Sequence, residues 1–156
     1  MSHFTIKLAY DELDNVKQLF REYTKYLGVD LSFQQYNEEI SSLPGKYALP
    51  DGRLYVIYDG QQLAGCVALR KINDKSCEFK RLFVRPEFRG KKLGCILMEK
   101  VIEDARLIGY KTGYLDTLST LKSAIVIYEK LGFENIPPYY DNPLENVAYY
   151  RIDITS

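Results

Sequence analysis

The sequence predicts an α/β fold of three layers, in which helices cover both faces of a central mixed β-sheet. Segments with apolar residues at helical spacing alternate along the chain with short segments typical of strands. Their order, β-α-α-β-β-β-α-β-α-β-β, gives about seven strands and four helices. It combines an antiparallel meander with one strand-helix-strand unit, residues 79–117. The strands of such a unit are expected to be parallel and its connection right-handed.

The first part of the chain predicts one strand, near residues 3–9, followed by two helices. Apolar residues recur at helical spacing in residues 13–27 and again in residues 33–43. Residues 28–32 separate the two helices, and Pro44-Gly45 ends the second, because proline and glycine disfavour the continuation of a helix.

Three strands are predicted next, at residues 53–59, 63–72 and 76–84. The pair Asp59-Gly60 is a turn signal between the first two, so the three strands form an antiparallel meander. Pro86 ends the third strand.

The remaining chain predicts two amphipathic helices and their strands. The first helix covers residues 93–108 and stops at Gly109, and a strand follows at residues 112–117. The second helix covers residues 121–131. After it come a loop rich in proline and tyrosine and a last strand at residues 146–154.

The composition favours one domain spanning residues 1–156, with 46% hydrophobic residues. Its net charge of zero argues against nucleic acid as a partner. Neither a secretory leader nor a long apolar run is present, so we expect a cytoplasmic protein without membrane contact. With one histidine, His3, and no C-x-x-C pair, no metal site is expected. The sequence leaves a homodimer open.

A basic, glycine-bearing turn between a strand and a helix is typical of an anion site. Main-chain N–H groups at a helix N-terminus attract phosphate, and glycines let the phosphate come close. A solvated turn that only starts a helix is the alternative. The turn fits neither the P-loop nor the dinucleotide-binding pattern. It consists of Arg89, Gly90, Lys91, Lys92, Leu93 and Gly94.

These residues resemble the GNAT acyltransferase superfamily, whose signature is [Q/R]-x-x-G-x-[G/A] between a strand and a helix. Arg89 and Gly94 match its first and last positions, whereas Lys92 stands at the middle glycine. A second segment, residues 124–133, is similar to the family's A-x-x-x-Y-x-K-x-G-F pattern. Leu121 stands where many members have asparagine. The resemblance covers about residues 63–133.

The resemblance implies acetyl-CoA as cofactor, with its pantetheine arm paired to a strand that splays from its parallel neighbour. Tyr128 would then protonate the departing thiolate, although its place in an apolar stripe also suits a core aromatic. The residues implied in cofactor binding are Leu82, Phe83, Val84, Arg89, Gly90, Lys91, Lys92, Leu93, Gly94, Tyr128 and Lys130.

Glu78 is the first candidate for the base that deprotonates the acceptor amine. Strand alternation predicts that Glu78 shares one face with Lys80, Leu82 and Val84, next to the cofactor turn. A Glu78–Lys80 surface pair is the structural alternative. Asp116 or a water relay could also take the proton.

The expected function is transfer of the acetyl group to a primary amine of a small molecule resembling a polyamine, an amino acid or an aminosugar. A GNAT-fold ligand-binding module without turnover and an enzyme acting on peptides are the alternatives. Aromatic, charged and amide side chains of two irregular segments and one strand are the candidates for acceptor binding, although ordinary loop roles would also explain most of them. They are Asp30, Phe33, Gln34, Arg81, Tyr139 and Tyr140.

Overall fold

The computed structural model describes residues 3–28 and 36–154, which form one seven-stranded sheet and four α-helices. The sheet has the order β1-β2-β3-β4-β5-β7-β6. Strands β4 and β5 are parallel and all other neighbours are antiparallel, so the sheet is mixed, as predicted. The strands are β1 Phe4–Leu8, β2 Arg53–Asp59, β3 Gln62–Asn73, β4 Ser76–Val84, β5 Thr112–Leu118, β6 Glu134–Ile136 and β7 Val147–Asp153; the helices are α1 Leu13–Leu27, α2 Tyr36–Ser42, α3 Leu93–Ile108 and α4 Lys122–Lys130.

The two faces of the sheet carry separate hydrophobic cores. On one face, α3 and α4 pack against the sheet, with Leu97 and Val101 fully buried. On the other face, Val16 and Phe20 of α1 are fully buried against β2 and β3. Burial of each such side chain stabilises the fold by about 1.5–3 kcal/mol. The packing confirms the three-layer sandwich.

The observed elements follow the predicted ones, with two differences. The sequence order counts two strands after the last helix but locates only the final one; the other is the short edge strand β6. The second predicted helix starts at Phe33, which lies outside the described residues, and the described part runs from Tyr36 to Ser42. Along residues 3–28 and 36–154, no helix combines the length and apolar character needed to cross a bilayer.

A β-bulge interrupts β4 at Arg81. The pairing with β3 shifts between Cys66 and Ala68, and Arg81 adopts a φ of 61°. An extra residue reverses the side-chain alternation that follows it. Phe79 and Leu82 therefore both pack on the α3 side. The prediction that Glu78 shares a face with Leu82 and Val84 is wrong, because a strict period of two cannot hold through a bulge.

Arg81 joins the bulge to helix α2 through a buried ion pair. Its Nε and Nη2 donate to the carboxylate of Glu39 at 2.9 and 3.1 Å, and both side chains are 4% exposed. Lys46 lies 3.4 Å from the same carboxylate. Burial favours the neutral acid, but the hydrogen bonds and charge of Arg81 outweigh it and lower the pKa of Glu39. The pair anchors the bulge to α2.

We predict that Glu39→Gln lowers the free energy of unfolding by about 3–5 kcal/mol at pH 7, because it leaves the buried charge of Arg81 without its partner. The lowered pKa of Glu39 makes its contribution full above its ordinary value of 4.5 and lost as the pH falls through the folded value. Urea titrations at pH 7 and pH 3.5 measure both effects. Exposed Glu38→Gln is the matched control, expected within about 0.5 kcal/mol of the parent. Equal midpoints for the two variants at pH 7 would contradict a stabilising pair.

Candidate active site

Strands β4 and β5 diverge and open a cleft between them. They pair only from Ser76–Glu78 to Thr112–Tyr114, although β4 continues to Val84 and β5 to Leu118. The resemblance implied this divergence, and the pairing confirms it. Side chains from both helical layers line the cleft. They are Tyr23, Leu27, Phe79, Lys80, Arg81, Leu82, Met98, Leu115, Asp116, Thr117, Leu118, Tyr128, Asn142, Leu144 and Val147.

The diverging half of β4 presents main-chain polar groups to this cleft. The N–H of Arg85 donates to the carbonyl of Ala64 in β3 at 2.8 Å. Because successive residues of a strand point their N–H and C=O groups to opposite sides, those of Leu82 and Val84 face away from β3. No strand among the described residues pairs with that side. An extended ligand could therefore add to β4 as another strand would.

The basic turn lies where β4 leads into α3. A 3₁₀ turn, Pro86–Phe88, comes first, and Lys92 in the left-handed region, with a φ of 65°, starts the helix without a side-chain cap. Within the described chain, the N–H groups of residues 90–95 donate to no main-chain carbonyl. Unpaired N–H groups and the helix dipole together favour an anion.

The side chains of this turn are held by residues far away in the sequence. Arg89 donates from Nη1 to the hydroxyl of Tyr26 at 2.9 Å and from Nε to the carbonyl of Val84 at 3.1 Å. Its guanidinium also lies 4.4 Å from the centroid of the Tyr26 ring. Lys91 pairs with Asp59 at 2.7 Å. The cations are thus oriented before any ligand binds.

Gly94 and Lys130 have structural surroundings that the motif alone did not show. A methyl group on Gly94 would lie 3.0 Å from Cδ1 of Ile127, so glycine allows α3 and α4 to approach each other. Burial raises the pKa of the Cys95 thiol, while the charges of Lys130 and Lys92 lower it. The positive charge of Lys130 therefore lies close enough to the start of α3 to affect Cys95, as the charge of Lys92 does.

Tyr128 lies at the inner end of the cleft. It is 6% exposed, and its ring packs against Phe133 and Tyr150 at centroid distances of 5.7 and 6.2 Å. Burial raises the pKa of the phenol far above its ordinary value. Tyr128 is thus a core aromatic, as the structural alternative predicts, and it also borders the cleft, where the role of an acid stays a prediction. Tyr23 of α1, which the sequence suggested only as a helix-face residue, borders the cleft from the opposite layer.

Glu78 does not line the cleft. Its side chain is 2% exposed, accepts hydrogen bonds from Arg70 at 2.8 Å and Tyr139 at 2.7 Å, and lies 3.8 Å from Nζ of Lys80. Burial opposes ionisation, but Lys80, Arg70 and Tyr139 outweigh it and lower the pKa of Glu78. The surface pair proposed as the alternative is also wrong, because the Glu78–Lys80 pair is buried. A buried carboxylate with a lowered pKa is a weak proton acceptor.

Lys80 and Asp116 border the cleft beside β4 and β5, together with Arg81, whose guanidinium binds Glu39. Burial lowers the pKa of Lys80 to about 8, against the opposing charge of Glu78. Asp116 accepts hydrogen bonds from the hydroxyl of Tyr140 and, at 3.4 Å, from the amide of Asn142. One polar wall therefore combines a lysine of lowered pKa with a hydrogen-bonded carboxylate.

The loop between β6 and β7 covers this wall, but its tyrosines do not line the cleft. The rings of Tyr139 and Tyr140 pack against each other in a tilted arrangement and against Tyr149 edge-to-face, with centroid distances of 5.4–5.8 Å. Asn142 and Leu144 line the cleft instead. The predicted contact of Tyr139 and Tyr140 with a substrate is corrected accordingly, because their hydroxyls hold Glu78 and Asp116.

The other predicted acceptor residues divide into two groups. Arg81 borders the cleft, but Nε and Nη2 of its guanidinium bind Glu39 rather than facing a ligand. Asp30, Phe33 and Gln34 lie outside the described residues.

A sheet opened between two parallel strands, beside a basic turn at a helix N-terminus, defines a class of α/β protein suited to an extended ligand that carries phosphate. Residues 50–135 match the acetyltransferase (GNAT) domain. An uncharacterised N-acetyltransferase of Schizosaccharomyces pombe is 41% identical over 96% of this chain and 93% of its own. The chain therefore belongs to the GNAT acetyltransferase family, whose acetyl donor is acetyl-CoA.

Solved structures share the fold. An acetyltransferase of the GNAT family from Staphylococcus aureus has a TM-score of 0.81 at 20% identity, covering 98% of this chain and 100% of its own. A putative acetyltransferase from Salmonella typhimurium, solved with its cofactor acetyl-CoA, has a TM-score of 0.70 at 16% identity, covering 97% and 94%. The predicted family, fold and cofactor are confirmed.

We predict that Lys92→Gly raises the free energy of unfolding by about 0.5–1 kcal/mol. A lysine in the left-handed region costs about 1–2 kcal/mol, which exceeds the extra chain entropy that glycine loses on folding. Denaturant titration measures the change. The control is Lys91→Gly, which relieves no positive φ and removes the Asp59 pair, so it should destabilise. Destabilisation by both variants would show that no such strain is present.

Proposed function

We propose that this enzyme transfers the acetyl group of acetyl-CoA to a small molecule. A primary amine of that molecule attacks the thioester carbon directly. The divergence of β4 from β5 carries the proposal. It exposes main-chain groups of β4 beside a cleft, and the basic turn follows at the carboxyl end of the same strand. The peptide and the non-catalytic alternatives have no comparable observation in their favour.

In the proposed complex, the pantetheine arm lies along the main chain of Leu82, Phe83 and Val84. Its amides complete the hydrogen bonds that β5 does not supply to that half of β4. The pyrophosphate lies on the turn from Arg89 to Gly94, where N–H groups and cations meet. Lys130 adds positive charge to that region.

Tyr128 is proposed as the acid that protonates the departing thiolate. Its raised pKa keeps the phenol protonated across the physiological range, so a proton is always present to donate. A thiol ordinarily has a pKa of about 8.5, so the phenol gives up its proton only as the carbon–sulfur bond breaks.

The cleft surroundings suit a small acceptor with one cationic end. Asp116 and Asn142 offer oxygen atoms that accept hydrogen bonds from an ammonium group, and Leu27, Leu144 and Val147 offer apolar contact. Because the β6–β7 loop covers this side, a compact amine fits better than a folded protein. Polyamines, amino acids and aminosugars are the classes to be tested.

The assay is release of the CoA thiol with spermidine, a set of α-amino acids, glucosamine and short peptides as acceptors. Turnover above the hydrolysis rate, with the acetylated product seen by mass spectrometry, supports the proposal. Acetyl-CoA binding without turnover for any class of amine would favour the ligand-binding module, and turnover with peptides alone would favour the peptide enzyme.

We predict that Arg89→Glu weakens acetyl-CoA binding by about 10-fold or more, because it removes a charge-assisted donor and places a negative charge beside the pyrophosphate. Isothermal calorimetry measures the affinity. Arg21→Glu makes the same charge change on an exposed position of α1 and should leave it unchanged. Equal acetyl-CoA affinities of the parent and of Arg89→Glu would contradict binding of the pyrophosphate at this turn.

We predict that Tyr128→Phe lowers kcat by about 10²-fold while the acetyl-CoA affinity stays within about 2-fold, because only the proton donor is lost. Steady-state kinetics and calorimetry separate the two quantities. Tyr150→Phe is the matched control, since its ring packs against Tyr128 but does not line the cleft. A kcat that both substitutions leave unchanged would exclude the phenol as the acid.

A further inference from the structure

We propose that Lys80 is the general base that takes the proton from the acceptor amine. The inference rests on the proposed N-acetyltransferase function and assigns a residue to the step that Glu78 was expected to perform. Lys80 is the residue directly before the bulge of β4, at the point where β4 leaves β5.

The position of Lys80 meets the first requirement of a base, which is access to the reacting atoms. Its side chain lines the cleft together with Leu82, Asp116 and Tyr128. Phe79 and Leu115 pack in the α3 core, so strand alternation places Lys80 and Asp116 together on the opposite face. Lys80 thus reaches the cleft on the acceptor side, while Tyr128 borders it from the α4 layer. The two candidate groups thus border the cleft from opposite faces of the sheet.

The surroundings of Lys80 meet the second requirement, which is a neutral form at working pH. Its side chain is 10% exposed, and burial lowers its pKa to about 8, close to the pH at which a base is most effective. Glu78 and Asp116 raise the pKa, whereas Arg81 and Lys46 lower it. The charged groups that face it come from β4, β5, α2 and the turn before β2. They are Glu78, Arg81, Asp116, Glu39 and Lys46.

Lys80 is a better acceptor of the ammonium proton than Glu78. A primary ammonium ion has a pKa of about 10, so transfer of its proton to Lys80 is unfavourable by about 10²-fold. Transfer to Glu78, whose pKa lies below 4.5, is unfavourable by more than about 10⁵-fold. The buried side chain of Glu78 also does not line the cleft. Its carboxylate, 3.8 Å from Nζ of Lys80, instead acts on the base through charge.

Neutral Nζ of Lys80 accepts one proton from the acceptor's ammonium group, and the freed electron pair of the amine attacks the thioester carbon. The new C–N bond forms as the C–S bond breaks, and Tyr128 protonates the thiolate. The proton of the transient N-protonated amide passes to the Tyr128 oxygen. Lys80 then returns its proton to solvent, and no oxidant or metal is required.

The test compares Lys80→Arg and Lys80→Met, using the acceptor from the thiol-release assay that gives the highest turnover. Arginine keeps a positive charge but cannot lose its proton in a protein, so it separates basicity from charge. We expect both variants to lose about 10²-fold or more in kcat at pH 7.5, with acetyl-CoA affinity within about 2-fold of the parent. Lys75→Arg, on an exposed lysine of the β3–β4 turn, is the matched control and should keep full activity.

The pH profile of kcat gives a readout that a structural role of Lys80 would not produce. In the parent, kcat should rise with pH and level off near pH 8, since the base form of Lys80 grows through that range. In Lys80→Arg it should keep rising toward the pKa of the amine. In Glu78→Gln the inflection should move to lower pH by about 1 unit or more, because the loss of a nearby negative charge favours neutral Lys80.

The outcomes separate the inference from the proposed function. A kcat and a pH profile of Lys80→Arg equal to those of the parent would overturn the assignment of Lys80. An inflection of kcat in Glu78→Gln at the same pH as in the parent would also overturn it. Failure of the parent itself to bind acetyl-CoA or to acetylate any amine would instead overturn the proposed function. If Lys80→Arg does not fold, the inflection in the parent and in Glu78→Gln still decides.

Discussion

The hydrogen bonding between β4 and β5 stops after three residues of each strand, and the rest of the site depends on that interruption. A continuous ladder would satisfy the outer main-chain groups of β4 internally and leave no room for a ligand. The bulge at Arg81 coincides with the divergence, and the buried pair with Glu39 attaches it to α2. The ion pair with Glu39 thus offsets the conformational free energy that Arg81 costs in the left-handed region.

The same bulge places side chains on either side of it on opposite faces of the sheet. Leu82 and Val84 turn to the α3 side, where Tyr128 also packs, whereas Lys80 stays on the side of Asp116. Without the extra residue, strict alternation would send Lys80 and Leu82 to one face. A single inserted residue therefore separates the region suited to the thioester from the region suited to the amine.

The sequence allowed prediction of most of the fold, because long helical stripes such as residues 93–108 and strands bounded by turn signals are local patterns. The turn between β4 and α3 could also be predicted, because its proline and glycines restrict or free the backbone locally. The bulge was not readable, because it depends on pairing with β3 and on Glu39, 42 residues away in the sequence. The error about Glu78 follows directly, since its face and partners are set across the sheet by Arg70 and Tyr139.

Charge balance around the cleft explains why a lysine, rather than a carboxylate, is suited to exchange a proton there. Each carboxylate in this region already has a fixed cationic or hydrogen-bonding partner, so protonating one would leave that partner uncompensated. Removal of a proton from Lys80 leaves three cations opposite three carboxylates, which is the neutral arrangement that a buried cluster favours. The site can thus return to balance by releasing the proton that the reaction supplies. The groups are Arg70, Arg81, Lys46 and Lys80 opposite Glu39, Glu78 and Asp116.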